Sequence, residues 1–197
     1  MKLLLADPNR DLLKAYHKLL TLREYDVSVC FEGAETVRML SAGQLDLLIV
    51  NESLPLISCE KIVGLAREKN VPSIVLLNRK VSAGLLLGAE PANAYLPFPF
   101  LPEELVGLIA QTNAFARDTG PLVCGDVTVV PARFCIEDTA IRLTVGEVSL
   151  LRSLTESAVP AAGSVVPYVN ALNAKFARAG KKTRVVYQSK EGYRLVI

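Results

Sequence analysis

The sequence contains no tryptophan, a single histidine, and four cysteines that form no C-x-x-C pair. Zinc sites and disulfide frameworks need closely spaced cysteine or histidine residues, so neither is predicted, and no cofactor is expected. Proline, glycine or charge interrupts every apolar run before the roughly 18 residues that a membrane span requires. The opening apolar run is too short for a signal peptide, so we expect a cytoplasmic protein without membrane contact.

Charge is distributed unevenly along the 197 residues. Residues 1–118 carry 12 basic and 14 acidic side chains, whereas residues 119–197 carry 10 basic and 6 acidic side chains. The second part is therefore basic, which favours a polyanionic partner. The alternative is a solvated tail that only keeps the protein in solution. Hydrophobic residues make up 51% of the chain, which is enough for one or two packed cores.

Short apolar runs alternate with amphipathic segments through the first 118 residues. These runs predict five strands, at residues 3–6, 27–30, 47–50, 73–77 and 94–96. Several of the runs are apolar throughout, as is typical of strands that are covered on both faces. The pattern predicts an α/β fold with a doubly wound, five-stranded parallel sheet, in which sites form at the carboxyl ends of the strands.

The pattern changes after a charged segment with glycine and proline at residues 117–121, which predicts a linker between domains 1–118 and 122–197. Short runs beyond it predict a small antiparallel sheet, at residues 122–123, 127–130, 134–136 and 140–143. Thr144 and Glu147 have the spacing of a capping box, which predicts the start of a helix with Val148, Leu151 and Leu154 facing inward. A second helix is predicted over 165–179 with Ser164 as N-cap and an inward stripe of Val165, Val169, Leu172 and Phe176. A β-hairpin is predicted over 184–195.

Seven segments of the chain resemble a known family. Four strand ends are similar to the signature stretches of response-regulator receiver domains, namely LADPN (5–9), DLLIVNESLP (46–55), VPSIVLL (71–77) and YLPFPF (95–100). Three later segments resemble the winged-helix effector of OmpR/PhoB-type regulators, namely LTVGE (143–147), LNAKF (172–176) and EGYRL (191–195). The resemblance implies a receiver-like domain followed by a small α+β winged-helix domain, in a transcription regulator of two-component signal transduction.

The resemblance also implies a phosphorylation site whose residues are replaced here. In the family, an acidic pair binds Mg²⁺ and an aspartate accepts the phosphoryl group; the matching positions here hold Asp7 and Pro8 (or Ala6 and Asp7) and Asn51. The family's serine or threonine and its lysine, which contact the phosphoryl group, are matched by Leu77 and Phe98. A carboxamide is not a nucleophile, and one carboxylate makes a poor Mg²⁺ site. We therefore predict a non-enzymatic pseudo-receiver that works without phosphorylation. Leu77 and Phe98 are expected to fill the pocket that holds the phosphoryl group in the family, with an apolar small-ligand pocket as the alternative. Asp7 is a candidate N-cap for a helix that starts at Pro8.

The effector part is shorter than its relatives by roughly 15 residues, about four helical turns, so one helix is predicted to be missing. On the second helix, the side opposite the inward stripe is predicted to carry Asn170, Ala174, Ala177 and Arg178, with Asn173 and Lys175 on its flanks. Asparagine side chains can bond adenine, and basic side chains can bond phosphates. On this basis the predicted contacts to double-stranded DNA are Asn170, Asn173, Lys175, Arg178, Lys181, Lys182, Arg184, Lys190 and Tyr193. The alternative is a protein-interaction or scaffold module whose degenerate effector no longer binds DNA.

A largely uncharged segment at residues 81–90 matches the fourth receiver helix. Three consecutive leucines, Leu85, Leu86 and Leu87, cannot all lie on one buried face of a helix, so part of this apolar surface is expected to be exposed. This predicts a homodimer through the receiver-like domain. RNA polymerase is a second candidate partner of such a regulator.

Overall fold

The computed structural model describes residues 1–88, 92–137, 139–160, 162–189 and 191–197. Contacts divide the chain into two units. The first contains Met1–Lys80 and Ala92–Asn113, and the second contains Val81–Pro91 and Ala114–Ile197. The division differs from the predicted domains in that residues 81–88 and 114–118 group with the second unit.

The elements through residue 117 alternate as the sequence predicts. In chain order they are β1 (Lys2–Ala6), α1 (Arg10–Thr21), β2 (Asp26–Cys30), α2 (Gly33–Ala42), β3 (Leu47–Asn51), α3 (Cys59–Glu68), β4 (Ser73–Leu77), α4 (Ala83–Leu86), β5 (Ala94–Pro97) and α5 (Pro102–Arg117). All five predicted strands are present. Helix α4 is a single turn within the predicted range 81–90, of which residues 89–90 lie outside the described part.

The first unit contains one parallel sheet with strand order β2-β1-β3-β4-β5. Every residue of β3 and β4 is buried, and so are the last four residues of β1. This explains the continuous apolar runs, because helices cover a doubly wound sheet on both faces. The chain order reverses between β1 and β3, and the carboxyl ends of these strands place Asp7 and Asn51 at the same edge.

The second unit is smaller and richer in antiparallel structure. Its further elements are β6 (Leu122–Cys124), β7 (Val127–Val130), a 3-10 turn (Pro131–Arg133), β8 (Cys135–Ile136), α6 (Val145–Glu156), α7 (Val166–Arg178), β9 (Arg184–Gln188) and β10 (Gly192–Val196). Strands β6, β7 and β8 form one antiparallel sheet, and β9 and β10 form the predicted hairpin. A parallel sheet followed by a smaller β-rich region is therefore the fold.

The strand predicted over 140–143 is wrong, because only one isolated bridge, between Cys135 and Arg142, forms there. The hydroxyl of Thr139 donates to the Ile136 carbonyl and accepts from the Ile141 N–H, which folds the chain into a local turn. A side chain that bonds nearby backbone in this way competes with strand pairing.

Helix α6 begins at the predicted capping box. The Thr144 hydroxyl accepts from the Glu147 N–H at 3.3 Å, and Oε2 of Glu147 accepts from the Thr144 N–H at 2.7 Å. The predicted inward residues Val148, Leu151 and Leu154 are all buried. The local motif and the apolar spacing thus agree on where the helix starts and which face it buries.

Helix α7 ends as predicted but starts differently. Gly180 follows it with φ of 69°, a backbone conformation that glycine adopts readily. The N-cap is Val165, whose side chain makes no capping hydrogen bond, so the prediction of Ser164 as N-cap is wrong. Within the described part of 157–165 there are turns and no helix, as expected for a shortened effector.

Arg152 of α6 anchors the segment that precedes β6. Its guanidinium lies 4.9 Å from the centre of the Phe115 ring and 2.6 Å from Oδ2 of Asp118. The hydrogen bond from Arg152 lowers the pKa of Asp118. Residues 117–118, predicted as the start of the linker, therefore belong with Phe115 to the packed part of the second unit. None of the described helices has the length and apolar character needed to cross a bilayer.

Candidate functional site

The carboxyl edge of the parallel sheet holds Asp7 and Asn51 in direct contact. Nδ2 of Asn51 donates to Oδ2 of Asp7 at 2.8 Å, and both residues are buried. The other oxygen of Asp7 accepts from the Asn9 N–H at 2.7 Å, and Oδ1 of Asn51 accepts from the Ser53 N–H at 2.8 Å. The amide thus gives one oxygen of the buried Asp7 side chain a hydrogen-bond donor, and the Asn9 N–H serves the other.

Asp7 does not cap the first helix, in contrast to the sequence-based suggestion. Helix α1 begins at Arg10 rather than Pro8, and its N-cap is Asn9, whose Oδ1 accepts from the Asp11 and Leu12 N–H groups. Asp7 is the residue that orients this cap, because it binds the Asn9 backbone. Its carboxylate therefore organises the edge of the sheet.

The two apolar replacements occupy different positions. Leu77 is 1% exposed and belongs to the core, whereas Phe98 is partly exposed and lines a cavity of about 420 Å³ together with Asp7 and Asn51. The Phe98 ring lies 4.5 Å from that of Phe100, which stacks on Tyr16. The replacements thus do not fill the pocket completely. An aromatic wall and an amide–carboxylate pair remain where the resemblance implies an anionic phosphoryl group.

Helix α7 presents one exposed face in the second unit. Asn170, Ala177 and Arg178 are exposed, whereas Val169, Leu172 and Phe176 are buried as predicted. At about 100° per residue, the three exposed residues fall within one third of the helix circumference. This face combines an amide, a small residue and a cation, which suits close approach to a base edge beside a phosphate.

Lys175 lies on the buried side of α7, so its prediction as a DNA contact is wrong. The side chain is buried, and Nζ lies 2.7 and 2.8 Å from the two carboxylate oxygens of Glu147. Burial lowers the pKa of Lys175 and raises that of Glu147. The lysine therefore ties α7 to the capping box of α6 and has no charge available for a phosphate.

Asn173 is engaged by the hairpin. Its Nδ2 donates to the Val185 carbonyl and its Oδ1 accepts from the Val185 N–H, each at 2.8 Å. A base contact would have to break both bonds, so the structure gives Asn173 the role of holding β9 against α7. The prediction that it reads a base is therefore corrected.

The turn between α7 and β9 carries Lys181 and Lys182, and β9 begins with Arg184. Lys182 is exposed, Lys181 is half-buried, and the half-buried Arg184 donates to the Lys181 and Thr183 carbonyls through Nη1. Asp126 accepts from the Thr183 hydroxyl and from the N–H groups of Lys182 and Thr183, and these hydrogen bonds lower the pKa of its carboxyl. The turn is thereby anchored, with the Lys182 side chain outside.

The β9–β10 hairpin carries Tyr193, a predicted DNA contact, and beside it Tyr187, which the sequence analysis did not consider. Tyr193 is half-buried and pairs across the strands with Tyr187, which is 57% exposed, with ring centres 5.5 Å apart. The alternation of β9 was the available signal, because it puts Tyr187 on the same face as Val185 but beyond the core. Lys190, also predicted to contact DNA, lies outside the described residues.

The predicted dimer leucines are only partly available. Leu86 is fully buried within the second unit, while Leu85 and Leu87 are half-buried. Leu86 is therefore removed from the predicted dimer surface, because burial inside one chain excludes it from contact with another.

Comparisons with known proteins identify the relatives of the chain. No protein-family model matches it. The transcriptional regulatory protein PrrA of Mycobacterium leprae is 27% identical over 168 residues, 79% of this chain and 71% of PrrA. The regulator CpxR of Escherichia coli is 31% identical over 110 residues, 55% of this chain and 47% of CpxR. The chain is a relative of OmpR/PhoB-type response regulators.

The response regulator MprA of Mycobacterium tuberculosis is 26% identical over 61% of this chain and 53% of MprA. The chain thus spans about half the length of both CpxR and MprA. Among solved structures, a mutant of RitR matches 99% of this chain and 98% of its own, with 19% identity and a TM-score of 0.64. The receiver domain of the Francisella regulator 1452 matches 55% of this chain at 20% identity, with a TM-score of 0.52. These likenesses agree with a receiver fold followed by a second region.

Proposed function

We propose that the protein is a phosphorylation-independent transcription regulator that binds double-stranded DNA through its second unit. The observation that carries the proposal is the exposed face of α7, where Asn170 and Arg178 stand clear of the core and Lys182 follows in the next turn. The transcriptional regulators among its relatives support the same role. Asn170 would read a base, while Arg178 and Lys182 would bind phosphates.

The first experiment measures duplex binding by the whole protein as salt is varied. Each phosphate contact releases counterions and contributes about −0.9 to the slope of log affinity against log salt. We expect Lys182→Ala to weaken binding to all sequences and to reduce this slope by about one unit. Asn170→Ala is expected to cost about 1 to 3 kcal/mol on the preferred site only.

Lys61 is the matched control, because it is an exposed cation of the first unit, and Lys61→Ala should leave both affinity and slope unchanged. Absence of binding by the wild-type protein at about 50 mM salt, where electrostatic attraction is strong, would contradict the proposal.

The pairing of Asn51 with Asp7 supports independence from phosphorylation. We predict that acetyl phosphate with Mg²⁺ leaves the intact mass of the wild type unchanged, because the amide is not a nucleophile. Asn51→Asp should also stay unmodified, since Phe98 still stands where the resemblance implies a lysine. A mass gain of one phosphoryl group on either protein would refute the prediction.

Asn51→Asp also has an expected effect on stability. It replaces the donor to Asp7 with a second buried carboxylate, which should cost roughly 1 to 3 kcal/mol at neutral pH. Two adjacent carboxylates raise one folded-state pKa, so stability should recover as pH falls below that raised pKa and decline as pH rises through it. Asn78→Asp is the control, because Asn78 is exposed and donates to the Ser53 hydroxyl.

The protein-interaction alternative rests on exposed apolar groups of the second unit, Val123 and Tyr187. It predicts no DNA retardation at low salt, so the binding experiment separates the two functions. A homodimer through Leu85 and Leu87 and a contact with RNA polymerase remain predictions. Sedimentation at tens of micromolar, with a monomer as the contradicting result, tests the dimer.

A further inference from the structure

Helix α4 is too short to be stable alone, yet its last residue, Leu86, is completely buried. Isolated helices need many more than four residues, because the first turn fixes several residues for one hydrogen bond. Leu86 nevertheless has 0% of its surface exposed. Helix α4 contacts α7, and both helices belong to the second unit. Packing against α7 therefore accounts for the order of this turn.

Helix α7 buries a wider face than its predicted stripe. Ala171 and Lys175 are buried in addition to Val169, Leu172 and Phe176. Glu147 of α6 covers Lys175. The described part of the connection from α6 to α7 contains turns and the isolated bridge at Val159 but no helix, so no intervening helix covers the remainder. The buried face of α7 must therefore be covered by something other than a helix between α6 and α7.

We propose that α4 takes the place of this helix and is a structural component of the DNA-binding unit, with Leu86 as a positioning residue for α7. The contact supports α7 and does not mask it, because Asn170, Ala177 and Arg178 remain exposed with α4 in place. Residues 81–88, which follow β4 of the receiver-like fold in sequence, therefore complete the second unit.

Hydrogen exchange on the full-length protein tests this assignment. Leu86→Ala should speed exchange of the α7 amides, such as those of Leu172 and Phe176, by at least about tenfold, because it opens a cavity beneath the helix. The amides of β3, such as that of Ile49, should not change. Leu86→Met keeps the volume and should behave as the wild type.

The matched control is Leu40→Ala, which removes an equally buried leucine from the first unit. It should speed exchange in the first unit and leave α7 unchanged. If Leu86→Ala speeds amide exchange in β4 and β5 but not in α7, α4 supports the receiver-like sheet only and the proposal is wrong.

DNA affinity provides a second readout that rests on the proposed function. We expect Leu86→Ala to weaken binding about tenfold or more, since α7 loses its support. Tighter binding would overturn the proposal, because it would mean that α4 masks the helix. Failure of the wild type to bind DNA would refute the proposed function alone, as the exchange result decides the role of α4 independently.

Discussion

Lys175→Met is expected to destabilise the second unit by about 3 to 5 kcal/mol, because it leaves the buried carboxylate of Glu147 without its cation. The Lys175 side chain is 4% exposed and that of Glu147 0%, so water cannot compensate. The effect should be larger than that of removing any exposed basic residue, for which a few tenths of a kcal/mol is usual. Urea unfolding monitored by exchange of the α6 and α7 amides measures it.

The double variant Lys175→Met/Glu147→Gln supplies the control. It removes both charges but keeps an oxygen that can accept from the Thr144 N–H, so the capping box is retained. We expect it to be more stable than Lys175→Met alone, since a buried ion pair can be replaced by neutral groups with little loss. A double variant that is less stable than the single one would show that Glu147 does not depend on Lys175.

The single variant should also respond to pH. Without the lysine, the folded-state pKa of Glu147 rises further above its unfolded value. Its folded state is then favoured when the carboxyl is protonated, so stability should increase in acid and fall as pH rises through the raised pKa. A pH-independent loss would indicate that packing, and not the unpaired charge, causes the destabilisation.

Lys175 also shows what the sequence could not reveal about the proposed DNA interface. From the helical period, Lys175 was predicted to lie on a flank of the exposed face, and its positive charge suggested a phosphate contact. The partner that buries it, Glu147, lies 28 residues away, and its local role was already explained by the capping box. A long-range pair of this kind leaves no trace in the spacing of either helix. Asn170 and Arg178 were placed correctly because their exposure depends only on the period of α7.

The first unit was predictable because its signals are local and redundant. In β3 and β4, a continuous apolar run coincides with burial on both faces, so the pattern alone identifies the strand. The role of Asp7 was harder to predict, because aspartate and asparagine both favour the N-cap position, and Asp7 and Asn9 are only two residues apart. Asn51, which is distant in sequence, binds Asp7 and leaves Asn9 to cap α1. Tertiary pairing therefore decided between two locally equivalent choices.

Gly192→Ala is expected to disrupt the hairpin far more than Gly180→Ala, although both glycines have a positive φ, of 94° and 69°. A Cβ at Gly180 meets nothing within 4 Å, so only the backbone strain remains, about 1 to 2 kcal/mol. A Cβ at Gly192 would overlap the Val159 carbonyl and lie 3.1 Å from the Pro160 Cα. These are backbone atoms that cannot move aside without breaking the bridge between Val159 and Tyr193.

That bridge consists of two hydrogen bonds, from the Tyr193 N–H to the Val159 carbonyl at 2.7 Å and from the Val159 N–H to the Tyr193 carbonyl at 2.9 Å. Losing both in addition to the strain should bring the cost of Gly192→Ala to about 3 to 5 kcal/mol. Exchange of the Tyr193 amide should accelerate strongly in Gly192→Ala and little in Gly180→Ala. Equal acceleration in both variants would mean that positive φ alone requires glycine at Gly192, and that the Val159 bridge does not hold the hairpin in place.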